Sequence, residues 1–350
     1  MSKKVLIGMS GGVDSSVSAL LLKKAGYEVI GATMQLLDQN GESTVTDAKK
    51  VCEQIGIEHH LLNNQTEFKQ KVINNFIQEY SNARTPNPCV ECNKYLKFGS
   101  FYQKALELNC DYIATGHYAK VEYSEKYKQY VLKKSDSENK DQTYFLYGIN
   151  KEILPKILFP LEKYKTKEEV RQIAKENSLE VAEKSDSQEV CFIPDNDYAS
   201  FVCKYAKQEK GNIVLKDGTI LGKHNGLVNY TIGQRKGLGI AYKSPLYVLE
   251  LNNATNEVIV GEEQELYSNE LYADQLNFLL DIPLNKPLKI KAKVRFRAKE
   301  AEAILYPAIE GIAKVEFTEP QRAITPGQSV VFYIDDVVLG RRKNYKVIKI

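Results

Sequence analysis

Hydrophobic and polar positions follow two different textures along this chain. Residues 4–9 form a short apolar run, the pattern of a strand buried on both faces. A glycine turn follows, and over residues 14–25 the apolar positions Val17, Leu20, Leu21 and Ala25 recur at helical spacing. Residues 28–35 read as a second strand. After Thr44, the positions Val45, Ala48, Val51, Cys52 and Ile55 predict a second helix. A third strand is expected over 58–62, a third helix over 68–80 and a fourth strand over 111–115. Such alternation predicts an α/β fold, a parallel sheet wound on both faces, with its site at the carboxyl ends of the strands.

Near residue 195 the texture changes. Turn signals crowd in at Lys216-Asp-Gly-Thr219, His224-Asn-Gly226, Gly233 and Gly237-Leu-Gly239. Short β-rich runs follow at 247–251 and 257–260. Beyond 270 the pattern is all-β, with runs at 288–298, 312–317, 329–334 and 345–350. The chain is therefore expected to hold a catalytic domain at 1–197, a small β-rich central domain at 198–265 and a C-terminal β-barrel at 266–350. A length of 350 residues agrees with two or three cores.

Composition adds limits. With 43% hydrophobic and 27% charged residues the chain reads as a soluble globular protein. A net charge of +3 does not by itself imply nucleic acid. The apolar run Val5-Leu6-Ile7 is too short for a signal peptide or a membrane span, so a cytoplasmic protein with no membrane partner is expected. Six cysteines in such a chain point to fillers, ligands or reactive thiols rather than a disulfide framework.

The first chemical signal is Ser10-Gly-Gly-Val-Asp-Ser-Ser16 between a strand and a helix. Glycines admit backbone N–H groups to an anion, the serines add hydroxyls, and a helix N-terminus supplies positive potential. No lysine follows the glycines, which separates this loop from the one that holds terminal phosphates. Asp14 would repel phosphate unless it faces Mg²⁺ or caps the helix. The bland alternative is a tight strand–helix turn with an Asp/Ser cap. With this context the loop resembles that of the PP-loop enzymes, which adenylate a substrate oxygen and release pyrophosphate.

The second signal is cysteine placement. Cys89 and Cys92 lie in Arg84-Thr-Pro-Asn-Pro-Cys-Val-Glu-Cys-Asn93, where two prolines hold the chain extended. With Asn93 as cap, this loop would put a thiol at a helix N-terminus, where its pKa falls. Cys191 lies in Lys184-Ser-Asp-Ser-Gln-Glu-Val-Cys-Phe-Ile-Pro194. Cys52, Cys110 and Cys203 read as fillers.

These segments, together with Thr115-Gly-His-Tyr118, Tyr230-Thr-Ile-Gly-Gln-Arg-Lys-Gly-Leu-Gly239 and Thr325-Pro-Gly-Gln328, resemble the bacterial tRNA-specific 2-thiouridylases in order and over nearly the whole chain. The resemblance implies a PP-loop (HUP-like) nucleotide-binding domain that uses ATP with Mg²⁺. A flipped wobble uridine of tRNA is adenylated at its C2 oxygen, and sulfur from a persulfide displaces AMP. Cys191 takes the persulfide position and Cys92 that of the partner nucleophile. Gly8, Met9, Ser10, Gly11, Gly12, Val13, Asp14, Ser15, Met34 and Gly116 would line the ATP site, while Asn87, Pro88 and Cys89 would face the target base. His117, Lys140, Asp141, Gln142, Arg295, Phe296 and Gln328 fall on tRNA-contact positions; a satisfied loop histidine is the plain alternative for His117. A sulfur-relay protein or cysteine desulfurase would supply the sulfur.

One departure matters. Many members carry Asp where this chain has Cys89, and a thiol serves poorly as a general acid or base. Cys89, Cys92 and Cys191 as three thiolates with an open position would suit a 4Fe–4S cluster, so cluster and persulfide stand as two open routes.

Finally, Lys289, Lys291, Lys293, Arg295, Arg297 and Lys299 occupy every second position. On a strand all six share one face, without an acid among them, and suit an RNA backbone; a lysine-guarded edge strand looks similar. This period turns Phe296 inward. Two rival functions stand beside thiolation: an amide-forming synthetase of the same loop class, which leaves the cysteines idle, and a tRNA-binding protein with a relict nucleotide site.

Overall fold

The computed structural model describes residues 2–37, 42–137, 139–184, 190–193 and 197–348. Five strands build a parallel sheet: β1 (Lys4–Gly8), β2 (Glu28–Gln35), β3 (Glu58–Asn63), β4 (Tyr112–Ala114) and, after an inserted hairpin of β5 (Lys120–Ser124) and β6 (Gln129–Lys133), β7 (Ile157–Leu158). Their spatial order is β3-β2-β1-β4-β7. The side chains of β1 alternate between two cores. Leu6 packs with Phe101 and Ile113 on one face, and Val5 and Ile7 pack with Val17, Val51 and Val170 on the other. The inner strands β1 and β2 are covered on both faces and read as apolar runs, whereas the edge strand β3 is only partly buried.

The covering helices are α1 (Val13–Lys24), α2 (Glu42–Ile55), α3 (Gln65–Phe68), α4 (Asn74–Ser81), α5 (Pro88–Glu91), α6 (Phe101–Glu107), α7 (Lys167–Glu176) and the short α8 (Tyr198–Cys203). π-Helical stretches, Lys69–Ile73 and Cys92–Ser100, join α3 to α4 and α5 to α6. Among the described residues no helix is long and apolar enough to cross a membrane.

The central region folds as a four-stranded sheet of β8 (Gly211–Leu215), β9 (Ile220–His224), β10 (Tyr247–Asn252) and β11 (Glu257–Gly261), in the order β10-β11-β8-β9. The predicted turn at Lys216–Thr219 joins β8 to β9, with the Asp217 carboxylate accepting from the Thr219 N–H at 2.9 Å. The last region comprises β12 (Tyr267–Phe278), β13 (Leu288–Lys293), β14 (Ala301–Leu305), β15 (Ala313–Arg322), β16 (Ser329–Ile334) and β17 (Val337–Ile348). The ladder β12-β15-β14-β13-β16-β17 closes through β12–β17 pairing, so the expected barrel forms, with six antiparallel strands. The run expected at 345–350 is the end of the longer β17; residues 349 and 350 lie outside the described residues. Hairpin β5–β6 joins this sheet where Val337 pairs with Lys133, tying the first domain to the third.

The basic strand expected over 288–298 is corrected. β13 ends at Lys293, and a turn follows in which the Ala298 N–H donates to the Arg295 carbonyl at 3.1 Å. Two-residue alternation therefore stops before Arg295. Its guanidinium points inward to the Ile232 carbonyl (3.2 Å), the Ala323 carbonyl (2.6 Å) and the Thr325 hydroxyl. Phe296 turns outward instead, 36% exposed. Nor is the face free of acids, because Glu302 stands opposite Lys291 on β14 and pairs with it at 3.8 Å.

Candidate functional site

The phosphate loop leaves β1 and enters α1 at Gly12, which caps the helix without any side-chain hydrogen bond. The Asp/Ser cap of the bland alternative is thus absent. Ser10 and Ser15 face each other, with hydroxyls 3.1 Å apart and the Ser10 N–H donating to the Ser15 hydroxyl at 3.2 Å. The Ser15 and Ser16 hydroxyls both donate to the Gly12 carbonyl, at 3.1 and 2.9 Å. These bonds shape a concave turn with the N-terminal amides of α1 behind it.

Asp14 is neutralised from within the protein. Its Oδ2 accepts from Lys167 Nζ of α7 at 2.7 Å, and its Oδ1 from the Tyr118 hydroxyl at 2.9 Å. Each oxygen accepts one hydrogen bond from the protein, so Asp14 does not stand beside the loop as an uncompensated charge. The pair instead removes a negative charge that would repel phosphate. Lys167, only 6% exposed, lies 153 residues away from Asp14 and carries no motif that would have singled it out.

From the end of β4, Gly116 packs directly on this loop. A Cβ there would lie 2.8 Å from backbone atoms of Asp14 and Ser15. His117 follows, its Nδ1 2.8 Å from the Thr115 hydroxyl and its ring between Phe98 and Phe159. Burial, and then the nearby Lys97, push its pKa well below the ordinary value, which keeps the ring neutral. Gln142 locks the same segment: its Oε1 accepts from the Tyr118 N–H at 2.9 Å, and its own N–H donates to the Tyr118 carbonyl at 2.9 Å. Asp141 is turned inward to the Thr143 hydroxyl (2.6 Å) and the Ser135 N–H (3.3 Å). Lys140 is half-buried beside them. Met9 is buried at the end of β1, and Met34 is half-buried at the end of β2.

The cysteine loop differs from expectation at its cap. Asn87, not Asn93, occupies the N-cap, Pro88 is the first helical residue, and Cys89 is the second. Asn93 is 2% exposed and donates from Nδ2 to the Phe145 carbonyl at 3.0 Å. The loop does place a thiol at a helix N-terminus; Cys89 is exposed at the surface, yet the protein around it desolvates the thiol and pushes its pKa upward rather than down, with Lys97 opposing. Cys92 is likewise raised by burial. Cys191 borders solvent, but the protein atoms packed around it displace part of the water from its sulfur. Desolvation, reinforced by Cys92 and Cys89, pushes this thiol up to about 12.

The three thiols share one neighbourhood. Phe192 and Ile193, next to Cys191, pack in one cluster with Cys92, Leu96, Phe68 and Phe76. Phe192 stands edge-on to Phe68 and Phe76 at 5.6 and 5.3 Å. Residues 185–189 and 194 of the expected cysteine segment lie outside the described residues. Of the remaining cysteines, Cys52 and Cys110 are buried as expected of fillers, while Cys203 is exposed.

Lys97 is the basic group that reasoning from spacing missed. It opposes the burial of Cys89, Cys92 and Cys191 and acts on His117 as well. Five residues stand about 140° apart on an α-helix. In the π-helical stretch from Cys92 the bond runs from i to i+5, which brings Lys97 back over Cys92. Among the described residues no carboxylate pairs with Lys97. Lys184 was also missed; its Nζ reaches the Gly11 carbonyl at 3.0 Å and Asp47 at 2.7 Å, tying the segment before Cys191 to the phosphate loop.

Among the described residues no three or more His, Cys, Asp or Glu side chains gather closely enough to hold a metal ion. The iron–sulfur ligand set expected from the three cysteines therefore does not fit this arrangement.

Three family patterns match the chain in order: a tRNA methyl transferase HUP domain over residues 3–195, a tRNA methyl transferase PRC-barrel domain over 199–262, and an aminomethyltransferase β-barrel domain over 268–341. The chain is 50% identical to a tRNA-specific 2-thiouridylase of Acetivibrio thermocellus, over 97% of this chain and 98% of that one. It is 49% identical to the enzyme of the same name in Clostridioides difficile strain 630, over 97% of each. The chain belongs to the family of tRNA-specific 2-thiouridylases.

Proposed function

We propose that this protein is the ATP-dependent enzyme that converts the wobble uridine of tRNA to 2-thiouridine, with sulfur delivered as a persulfide on Cys191. The observation that carries the reading is the continuity of one site. The phosphate loop touches Gly116, His117 follows, and the charge of Lys97 acts both on His117 and on the thiols of Cys89, Cys92 and Cys191.

ATP with Mg²⁺ sits on the Ser10–Ser15 turn, with Met34 and Gly116 beside it. The uridine C2 oxygen attacks the α-phosphorus and pyrophosphate leaves, which turns a poor leaving group into AMP. The terminal sulfur of the Cys191 persulfide then attacks C2, and the C2–oxygen bond breaks to release AMP. Cys92 attacks the inner sulfur of Cys191, the sulfur–sulfur bond breaks toward the base, and a Cys92–Cys191 disulfide results. An external thiol reduces it, and a sulfur-donor protein reloads Cys191. Asn87, Pro88 and Cys89, at the helix start, receive the flipped base. The site bears on the synthetase rival too, because amide formation would leave these thiols unused.

The reading is tested by incubating the protein with unmodified tRNA, ATP and a persulfide donor, then digesting the tRNA for nucleoside mass spectrometry. 2-Thiouridine should appear together with AMP and pyrophosphate. Pyrophosphate release without a sulfur-containing nucleoside would point to the synthetase reading.

A further inference from the structure

The loop that bears Cys89 and Cys92 is held from the far end of the chain. The turn joining β15 to β16 meets it directly: the Thr85 N–H donates to the Pro326 carbonyl at 3.0 Å. The Gln328 side-chain amide donates to the Thr85 carbonyl at 2.9 Å and the Pro86 carbonyl at 3.2 Å. Gly327 (φ +90°) lies so close that a Cβ would stand 2.8 Å from the Thr85 nitrogen. The next residues are Asn87, the cap, and Cys89 at the second helical position.

The same turn is anchored on its other side. Arg295 bonds the Ala323 carbonyl, the Thr325 hydroxyl and the Ile232 carbonyl of the central region. The Ala323 N–H donates to the Leu266 carbonyl at 2.9 Å, and Gly233 lies against Ala323. Residues 323–328 thus touch the central sheet region, the barrel and the cysteine loop together. Gln328 falls on a tRNA-contact position of the family, but its amide hydrogens are directed at protein carbonyls.

We propose that the 323–328 turn is a clamp between all three regions, and that Gln328 is a positioning residue which sets the geometry of the Asn87–Cys92 segment. RNA seated on the barrel and central region would meet a cysteine loop already registered to them. The inference rests on the tRNA-thiolation reading for its functional consequence, while its structural part stands apart from it. Displacements of about 1 Å at a reacting group cost about a hundredfold in rate.

Gln328→Met preserves size and neutrality but removes both side-chain donors; Gly327→Ala keeps those donors and instead wedges a methyl against the Thr85 backbone. Each variant is measured for tRNA affinity, for turnover at saturating tRNA, and for iodoacetamide labelling of Cys89 and Cys92 without tRNA, read by peptide mass spectrometry. A clamp predicts turnover lowered about tenfold or more, tRNA affinity within about twofold, and changed labelling rates at both cysteines. Weakened tRNA binding with wild-type turnover and labelling would overturn it in favour of direct RNA contact. Unchanged labelling in Gln328→Met would overturn it even if Gly327→Ala fails to fold. Wild-type protein that makes no 2-thiouridine would sink the functional reading, while the labelling comparison would still judge the clamp.

Discussion

Lys167 of α7 and Asp14 of the phosphate loop form an ion pair of 2.7 Å across 153 residues, with the lysine side chain 7% and the carboxylate 31% exposed. The loop keeps an acid at its centre because a cation from a distant helix cancels it.

Replacing Lys167 by Met should therefore do two things. Stability should fall by about 1–3 kcal/mol, the cost of leaving a charged group without its partner. The KM for ATP should rise, because Asp14, left with only the Tyr118 hydroxyl, would then face phosphate without a compensating cation. Urea unfolding and pyrophosphate release against ATP concentration measure both, and adding Asp14→Asn should recover part of each loss.

Lys97 opposes desolvation at all three thiols, so Lys97→Met should move thiol alkylation to higher pH. A thiol reacts as its thiolate, and a raised pKa leaves less thiolate at neutral pH. Alkylation of Cys191 followed from pH 7 to 10 should be slower in the variant throughout. Equal profiles would remove Lys97 from the site.

Acid should unfold this protein early. Burial lowers the pKa of His59, His117 and His224 from an ordinary 6.5. Below about pH 6.5 the unfolded chain binds protons that the folded chain refuses. The stability these rings contribute is present above that pH and is lost as pH falls toward their lowered values. The urea midpoint should be lower at pH 5.5 than at pH 7.5, and a flat profile would contradict the burial argument.

On the barrel, Phe296 and Arg295 should behave oppositely. Phe296 is exposed and lies 4.4 Å from Phe145, an arrangement suited to stacking on an unpaired base. Phe296→Ala should weaken tRNA binding about tenfold with unchanged stability. Arg295→Met should destabilise the protein through its lost carbonyl contacts. Neutralising the exposed Arg297, rather than Arg295, should flatten the salt dependence of tRNA binding.

The parallel sheet was legible in the sequence because its inner strands are covered on both faces, so 4–9 and 28–35 stood out as apolar blocks. The phosphate loop was legible as a local device: strand, glycine turn, helix. What escaped depends on contacts far apart in sequence or on broken periods. Lys167, and the hydrogen bonds of the Gln328 amide to the cysteine loop, depend on partners more than 150 residues away. Lys97 was hidden because a π-helical stretch changes which residues share a face, and Arg295 because β13 ends two residues before it. Hairpin β5–β6 escaped because its purpose, adding to the barrel sheet, is visible only after the chain has folded.

The central claim is that Cys191 carries the sulfur and Cys92 releases it. The most direct measurement is a single turnover without iron, using protein whose Cys191 is first loaded with a heavy-sulfur persulfide, then mixed with tRNA and ATP. Heavy sulfur should appear in 2-thiouridine in step with a Cys92–Cys191 disulfide, and Cys92→Ser should stop the reaction before sulfur is released. Unlabelled 2-thiouridine, or undiminished thiolation by Cys191→Ser, would contradict the account.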